Sequence, residues 1–312
     1  MAKTKKQDYS LKVGKITLLL TNQDKVYWPK EGYVKGDLLS YYDEVSSVIL
    51  PYLKDRPQSM NRHPNGIAGP SFFQKDIDRA KVPEWLRTEK MFSNHNDGYI
   101  EYLICNDKAT LLYMANLGCI EINPWNSRLQ KSDDPDWIVI DLDPEAIVFS
   151  EVVKTANEVR RVLEELDIHS CPKTSGSRGI HIYIPLGAKY EYAIARTFAQ
   201  LIAERVHRRI PEITSIVRSP SKRQKRVYLD YLQNSRGQTL AAPYSARPKP
   251  GATVSTPLLW SEVNAKLDPS AFTIKTMPKR LDKKGDLWKS VLGKKGANIE
   301  KTLKKLSEEN DQ

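Results

Sequence analysis

Cysteine is scarce in this chain. Only Cys105, Cys119 and Cys171 are present, odd in number and without CxxC spacing. That pattern argues against a structural zinc site and for a reducing compartment. Long apolar runs are lacking as well. None approaches the ~20 residues of a membrane-spanning helix, so no membrane segment is expected. Met1 to Lys6 is basic, but the polar residues behind it supply no signal-peptide core. Internal repeats and low-complexity linkers are missing, and no GxxxxGK phosphate loop occurs. These absences predict a cytoplasmic protein with no membrane partner.

What is present starts with size and charge. The 312 residues can bury a large core, and 40% hydrophobic with 9% aromatic residues is the composition of an ordinary globular protein. Lys and Arg number 49 against 38 Asp and Glu, a net charge of +11. Such an excess fits a polyanionic partner, nucleic acid first and a membrane surface second. On its own it does not choose between a specific partner and none.

Strand and helix patterns alternate along the chain. Strands are predicted over Lys15–Leu20, Tyr99–Cys105, Cys119–Ile122, Asp136–Pro144, Gly179–Ile184 and Arg226–Leu232, with Thr239–Ala246 weakened by Pro243. Helices are predicted from Lys35 to Pro51, over Ala109–Leu117, from an N-cap at Ser150, over Tyr190–Ile210 and over Asn298–Leu306. Asp133-Asp134-Pro135-Asp136 reads as a solvated acidic loop. The order implies an α+β fold of mixed β-sheets flanked by helices. We expect a basic tail over 1–14 and a single domain over 15–312, its N-terminal portion packed on the sheet that carries the chemistry.

That chemistry centres on Trp137-Ile138-Val139-Ile140-Asp141-Leu142-Asp143-Pro144. Residues two apart on a strand share a face, so Asp141 and Asp143 project side by side. Adjacent carboxylates repel unless a cation sits between them, and all-oxygen ligands suit Mg²⁺ or Mn²⁺; the alternative is that both face solvent at a strand end. Asp230, amid Val227-Tyr228-Leu229, is costly to bury unless it binds a cation or pairs with an Arg. Three carboxylates on neighbouring strands would make a two-metal site for phosphoryl transfer. Lys173-Thr174-Ser175-Gly176-Ser177-Arg178-Gly179-Ile180-His181 is either a plain loop and strand or a turn whose N–H groups, hydroxyls, Lys173 and Arg178 meet phosphate. His181 can touch a triphosphate or serve the core. Arg247 reads as a surface Arg or a phosphate clamp. Arg218, Lys222, Arg223, Lys225 and Arg226 suit a solvated loop or a nucleic-acid backbone equally. Phe72-Phe73 beside Lys75 can stack a base, but from the residues alone we read them as core.

Taken together, "LTNQDKVYWP", "RHPNGI", "FFQK", "WIVIDLDP", "KTSGSRGIHIYIPL" and "VYLDYLQNSRGQTLAAPYSARPKPGATVSTPL" resemble, in consistent order, the polymerase domain of bacterial ligase D, a branch of the archaeo-eukaryotic primase superfamily. The C-terminal "DLWKSVLGKKG" has the same look. The resemblance implies a primase-polymerase-like core and a nucleotidyltransferase that fills gaps and extends ends at double-strand breaks, with ribonucleotides preferred. A primase-type chain initiator and a catalytically weak end-binding module are its rivals. By motif position it implies Asp141, Asp143 and Asp230 as ligands of Mn²⁺ or Mg²⁺. Ser175, Arg178, His181 and Arg247 would hold the incoming NTP or dNTP. Asn22, Lys25 and Lys35 would hold a DNA 5′-phosphate, and Phe72 or Phe73 would stack on bases, reversing the core reading. The implied partner is gapped or broken DNA; no ligase or nuclease module is visible, so the expectation is either a standalone polymerase or one that works with a separate ligase and a Ku-type protein, and the location implied is nucleoid-associated. The family commonly has His before the Pro-Trp, where this chain has Asn123.

Overall fold

A computed structural model describes residues 8–93, 97–293, 296–300 and 302–304. Met1 to Lys6 lies outside them, as does part of the segment predicted helical from Asn298, of which 299–300 and 302–304 are helical. The chain divides into two compact units, each assembled from separate segments. The first comprises Met1–Trp125, Thr239–Ser255 and Ser270–Gly285; the second comprises Asn126–Gln238, Thr256–Pro269 and Asp286–Gln312.

The first unit opens with β1 (Tyr9–Val13) paired antiparallel with β2 (Ile16–Leu20), so part of the expected basic tail is strand. Alternation explains it: Leu11 and Val13 sit between polar residues and extend the apolar face of Leu18 and Leu20. β3 (Val26–Trp28) and β4 (Tyr33–Val34) lead into α1 (Lys35–Leu53), which buries Leu38, Leu39, Tyr42, Val45, Ile49 and Tyr52. Pro51 does not end this helix but lies inside it. The stop comes at Lys54, whose ψ of 127° leaves the helical region; Asp55 then turns left-handed with φ +57° and donates its N–H to Asn106 Oδ1 at 2.7 Å. β5 (Gln58–Arg62) is central to a three-stranded sheet, flanked by β6 (Phe72–Gln74) and, further along the chain, β9 (Cys119–Pro124). Between these two fall the hairpin of β7 (Thr88–Ser93) and β8 (Gly98–Leu103) and the helix α2 (Lys108–Asn116), capped by Asp107. Thr239–Ala246 forms only isolated bridges, at Thr239 with Trp125 and at Ala246 with Val254, as the prolines foretold.

The second unit holds a five-stranded sheet. β10 (Ser127–Arg128) and β11 (Lys131–Pro135) precede it as a small hairpin, so most of the expected acidic loop is strand. Two of its carboxylates pair with cations, Asp136 with Arg128 at 2.9 Å and Asp133, still exposed, with Arg236 at 2.8 Å. β12 (Trp137–Pro144) is the central strand. After α3 (Phe149–Glu165) come β13 (Cys171–Thr174), β14 (Ile180–Pro185), α4 (Tyr192–Arg209), β15 (Thr214–Ser215) and β16 (Val227–Asp230). The order across the sheet is β13-β14-β12-β16-β15, antiparallel except for the β15–β16 edge pair. Both α3 and α4 pack on β12. Ile138, Ile140 and Leu142 have no exposed surface, nor have Val152, Ala156, Val159 and Val162 of α3. Truncating any one of the three β12 side chains to Ala would cost about 2–5 kcal/mol. The N-cap of α3 is Val148 rather than Ser150, because the helix begins two residues earlier, at Phe149. After β16, α5 (Met277–Lys284) returns to the first unit. Among the described residues no helix is long and apolar enough to cross a membrane.

Candidate active site

Strand alternation sends Asp141 and Asp143 to the face of β12 opposite Ile138, Ile140 and Leu142. The register supplies their neighbours. Asp141 is opposed by His181 of β14 on one side and by Asp230 of β16 on the other, and His181 is opposed by Lys173 of β13. Directly opposed residues share a face, so one row crosses four strands: Lys173, His181, Asp141, Asp230. In the next row Asp143 is opposed by Tyr228.

Side-chain contacts connect the row. Lys173 Nζ stands 2.9 Å from His181 Nδ1, and His181 Nε2 stands 3.4 Å from Asp141 Oδ1. Asp230 turns the other way: Oδ1 accepts the Leu232 N–H at 2.8 Å and Oδ2 accepts from Gln233 Nε2 at 2.9 Å. Asp143 Oδ2 accepts from Arg223 Nη1 at 3.1 Å, and the Arg223 guanidinium lies 4.0 Å over the Tyr228 ring. Burial, then the Asp230 carboxylate, pushes the Tyr228 hydroxyl up to about 12. Beyond the end of β16 the Asn234 amide extends the ladder. Its Oδ1 accepts the Val139 N–H at 2.8 Å and its Nδ2 donates to the Val139 carbonyl at 2.7 Å.

The carboxylates are therefore neighbours by register but not convergent. Among the described residues no three His, Cys, Asp or Glu side chains are grouped closely enough to hold a metal ion. The reason is visible in their partners: Arg223 holds Asp143, and the 231–233 turn holds Asp230. The donor set itself, three carboxylates at neighbouring register positions on two adjacent strands, has the all-oxygen chemistry of a hard divalent cation.

The Ser175–Gly179 turn closes on itself. Ser175 Oγ accepts the N–H groups of Ser177 at 3.1 Å and Gly179 at 3.0 Å, so these two donors do not face outward as expected of a phosphate cradle. A Cβ on Gly179 would collide with the Leu142 carbonyl, which is why a glycine stands beside β12 here. Arg178 is exposed at the tip. Lys173, read as part of this turn, is instead wholly buried and aimed at His181. Within the basic run, Arg223 is buried against Asp143 while Arg218, Lys222 and Lys225 are exposed.

Other predicted site residues lie in the first unit. Lys25 and Lys35 flank one turn: Lys35 N–H donates to the Lys25 carbonyl at 2.8 Å, and Lys35 Nζ donates to the Thr21 carbonyl at 2.7 Å. Lys25 Nζ donates to the Pro64 carbonyl and Asn65 Oδ1. Burial first, then the Lys25 charge, lowers Lys35 to about 8. Asn22 turns the chain here with φ +52°. Phe72 and Phe73 are 47% and 60% exposed, not core, and Arg62 lies 5.2 Å over the Phe72 ring. Arg247 is no surface Arg. Its Nε forms an ion pair with buried Glu121 at 3.0 Å, although the N–H is not aligned on the oxygen. Asn123 spends its amide on the Ser59 and Glu121 carbonyls, bracing β5 against β9. Sequence reasoning missed Glu121, Gln233 and Asn234. Their residue types are ordinary, and only the "LDYLQN" spacing after Asp230 marked the last two.

A mixed, largely antiparallel sheet with helices packed on its central strand and a polar row on its other face, carboxylates at its centre, is the architecture of a primase-polymerase-type domain. The chain belongs to the family described as LigD, primase-polymerase domain, whose model matches residues 34–288. It is 39% identical over 271 residues to the Bifunctional non-homologous end joining protein LigD of Bacillus subtilis, covering 86% of this chain and 43% of that protein. It is 33% identical over 273 residues to the Multifunctional non-homologous end joining protein LigD of Mycolicibacterium smegmatis, covering 86% and 35%. The chain thus spans less than half the length of these curated relatives. Among solved structures it matches the Polymerase Domain from Mycobacterium tuberculosis Ligase D in complex with DNA at TM-score 0.81 and 30% identity, over 90% of this chain and 99% of that one.

Proposed function

We propose that this chain is a DNA-directed nucleotidyltransferase that fills gaps and extends ends in double-strand-break repair by end joining, with ribonucleotides preferred. The observation that carries this reading is the row Lys173–His181–Asp141–Asp230, with Asp143 beside it, in a member of the LigD primase-polymerase family. Asp141, Asp143 and Asp230 would hold Mn²⁺ or Mg²⁺ once Asp143 leaves Arg223. Bound there, such ions lower the pKa of an attacking hydroxyl and stabilise charge on a leaving phosphate.

The protein's own groups do the rest. His181, Ser175 and Arg178 bind and orient the nucleotide's phosphates and sugar, and Arg247 offers its planar guanidinium to a phosphate. Lys25 and Lys35, with the turn at Asn22, hold a 5′-phosphate through two cations 10 residues apart that the fold brings to one place. Exposed Phe72 and Phe73 offer faces for base stacking. The net charge of +11 supports backbone-dominated, salt-dependent DNA binding. A ligase activity and a Ku-type end-binding protein would complete the repair.

Incorporation on a one-nucleotide gap with and without the 5′-phosphate, using ribo- or deoxyribonucleotide with Mn²⁺ or Mg²⁺, tests this. Metal-dependent, phosphate-stimulated addition that Asp230→Asn abolishes without weakening DNA binding is expected. Synthesis without a primer would reassign the chain as a primase-type initiator. Tight phosphate-dependent binding with no incorporation under either metal would make it an end-binding module.

A further inference from the structure

We propose that Lys173 is a positioning residue that sets the tautomer of His181, so that the imidazole presents an Nε2–H donor on the Asp141 side. The proposal deepens the reading above, because it says in which form His181 meets the nucleotide.

Lys173 has no exposed surface. Burying an ammonium is costly unless its surroundings compensate. Here they do: its Nζ lies 5.7 Å over the Tyr183 ring, and its row continues into the carboxylates of Asp141 and Asp230. Its 2.9 Å contact is with His181 Nδ1. An ammonium has three donors and no acceptor, so Nδ1 must offer its lone pair. In a neutral imidazole the single proton then resides on Nε2, the nitrogen 3.4 Å from Asp141 Oδ1. The arrangement is built by strand register, since Lys173 and His181 are cross-strand partners in β13 and β14.

A consequence for the chemistry follows. With Nε2 protonated and Nδ1 occupied by Lys173, His181 has no free lone pair with which to accept a proton from an attacking hydroxyl. It serves as a hydrogen-bond donor to Asp141 or to phosphate oxygen, and not as the general base.

The test is nitrogen-15 NMR of the full chain labelled at histidine, with the His181 signals identified by their loss in His181→Gln. Expected in the unmodified protein is an unprotonated Nδ1 and a protonated Nε2; a protonated Nδ1 would overturn the proposal. In Lys173→Met, which keeps length and removes the donor, the two tautomers should mix. The nucleotide KM should rise about tenfold, the loss expected for ~1.4 kcal/mol, with a smaller change in kcat. Should that variant not fold, the spectrum of the unmodified protein still decides. A folded Lys173→Met with an unchanged His181 signal would also refute the idea. If His181→Gln leaves the nucleotide KM unmoved, it is the nucleotide reading of His181 that fails, and the tautomer remains a separate result.

Discussion

Asn234 offers a sharp perturbation, because one amide satisfies both backbone polar groups of Val139 inside the core, two residues before Asp141. Asn234 is 1% exposed and Val139 has no exposed surface, so water cannot replace the lost bonds. Asn234→Ala removes three contacts, the third being donation to the Tyr231 carbonyl at 2.9 Å. A hydrogen bond contributes ~1 kcal/mol net, and each buried group left without a partner costs about 1–3 kcal/mol, so the variant should lose on the order of 3–4 kcal/mol. Asn234→Asp should be no better. Its carboxylate can still accept the Val139 N–H, but it confronts the Val139 and Tyr231 carbonyls without a proton to give. Urea unfolding with linear extrapolation measures this, provided the slope is unchanged. The same variants should depress nucleotide incorporation more than DNA binding, because the turn that loosens carries Asp230 and Gln233. A loss under about 1 kcal/mol for Asn234→Ala would mean that the amide does not carry the β12–β16 pairing.

Arg223→Met should release Asp143 and tighten Mn²⁺ binding two- to fivefold, matching the ~0.5–1 kcal/mol left after solvent screening of a half-exposed carboxylate; weaker binding in calorimetry would show that Arg223 assists the cation. The 5′-phosphate-dependent part of DNA affinity should fade as pH rises through about 8, because Lys35 is held there and its protonated form does the binding. Fluorescence anisotropy across pH 6 to 10, with and without the phosphate, reads this out, and a flat difference would argue against Lys35. Gly179→Ala should cost stability and raise the nucleotide KM together, since its Cβ would force the Ser175–Gly179 turn away from Leu142. An unperturbed variant would mean that the turn is not clamped to β12.

Much of this protein could be read from its residues. Alternation and β-branching marked β12, the 3.6-residue spacing of Val152, Ala156, Val159 and Val162 marked α3, and the ordered motifs pointed to the family. Such signals are local: they depend on periods that a few residues suffice to define. Ends were less legible. Pro51 reads as a stop, yet the helix runs on to Leu53 and breaks at Lys54, where the chain turns into a left-handed Asp55 bonded to the Asn106 side chain from 51 residues away. Residue type placed the aromatic pair Phe72-Phe73 in the core, and both are exposed.

What the sequence by itself determined is the inventory and its periodicity: the carboxylates two apart, the basic excess, the alternating elements. What only the tertiary structure decided is partnership. Cross-strand register put Lys173 behind His181 and His181 beside Asp141. Long-range packing gave Asp143 to Arg223 and Arg247 to Glu121, while Asp230 is held by the turn that follows it. The physical reason is that a buried charge takes the compensating group the fold brings near, and which group that is depends on strand pairing between residues remote in the chain.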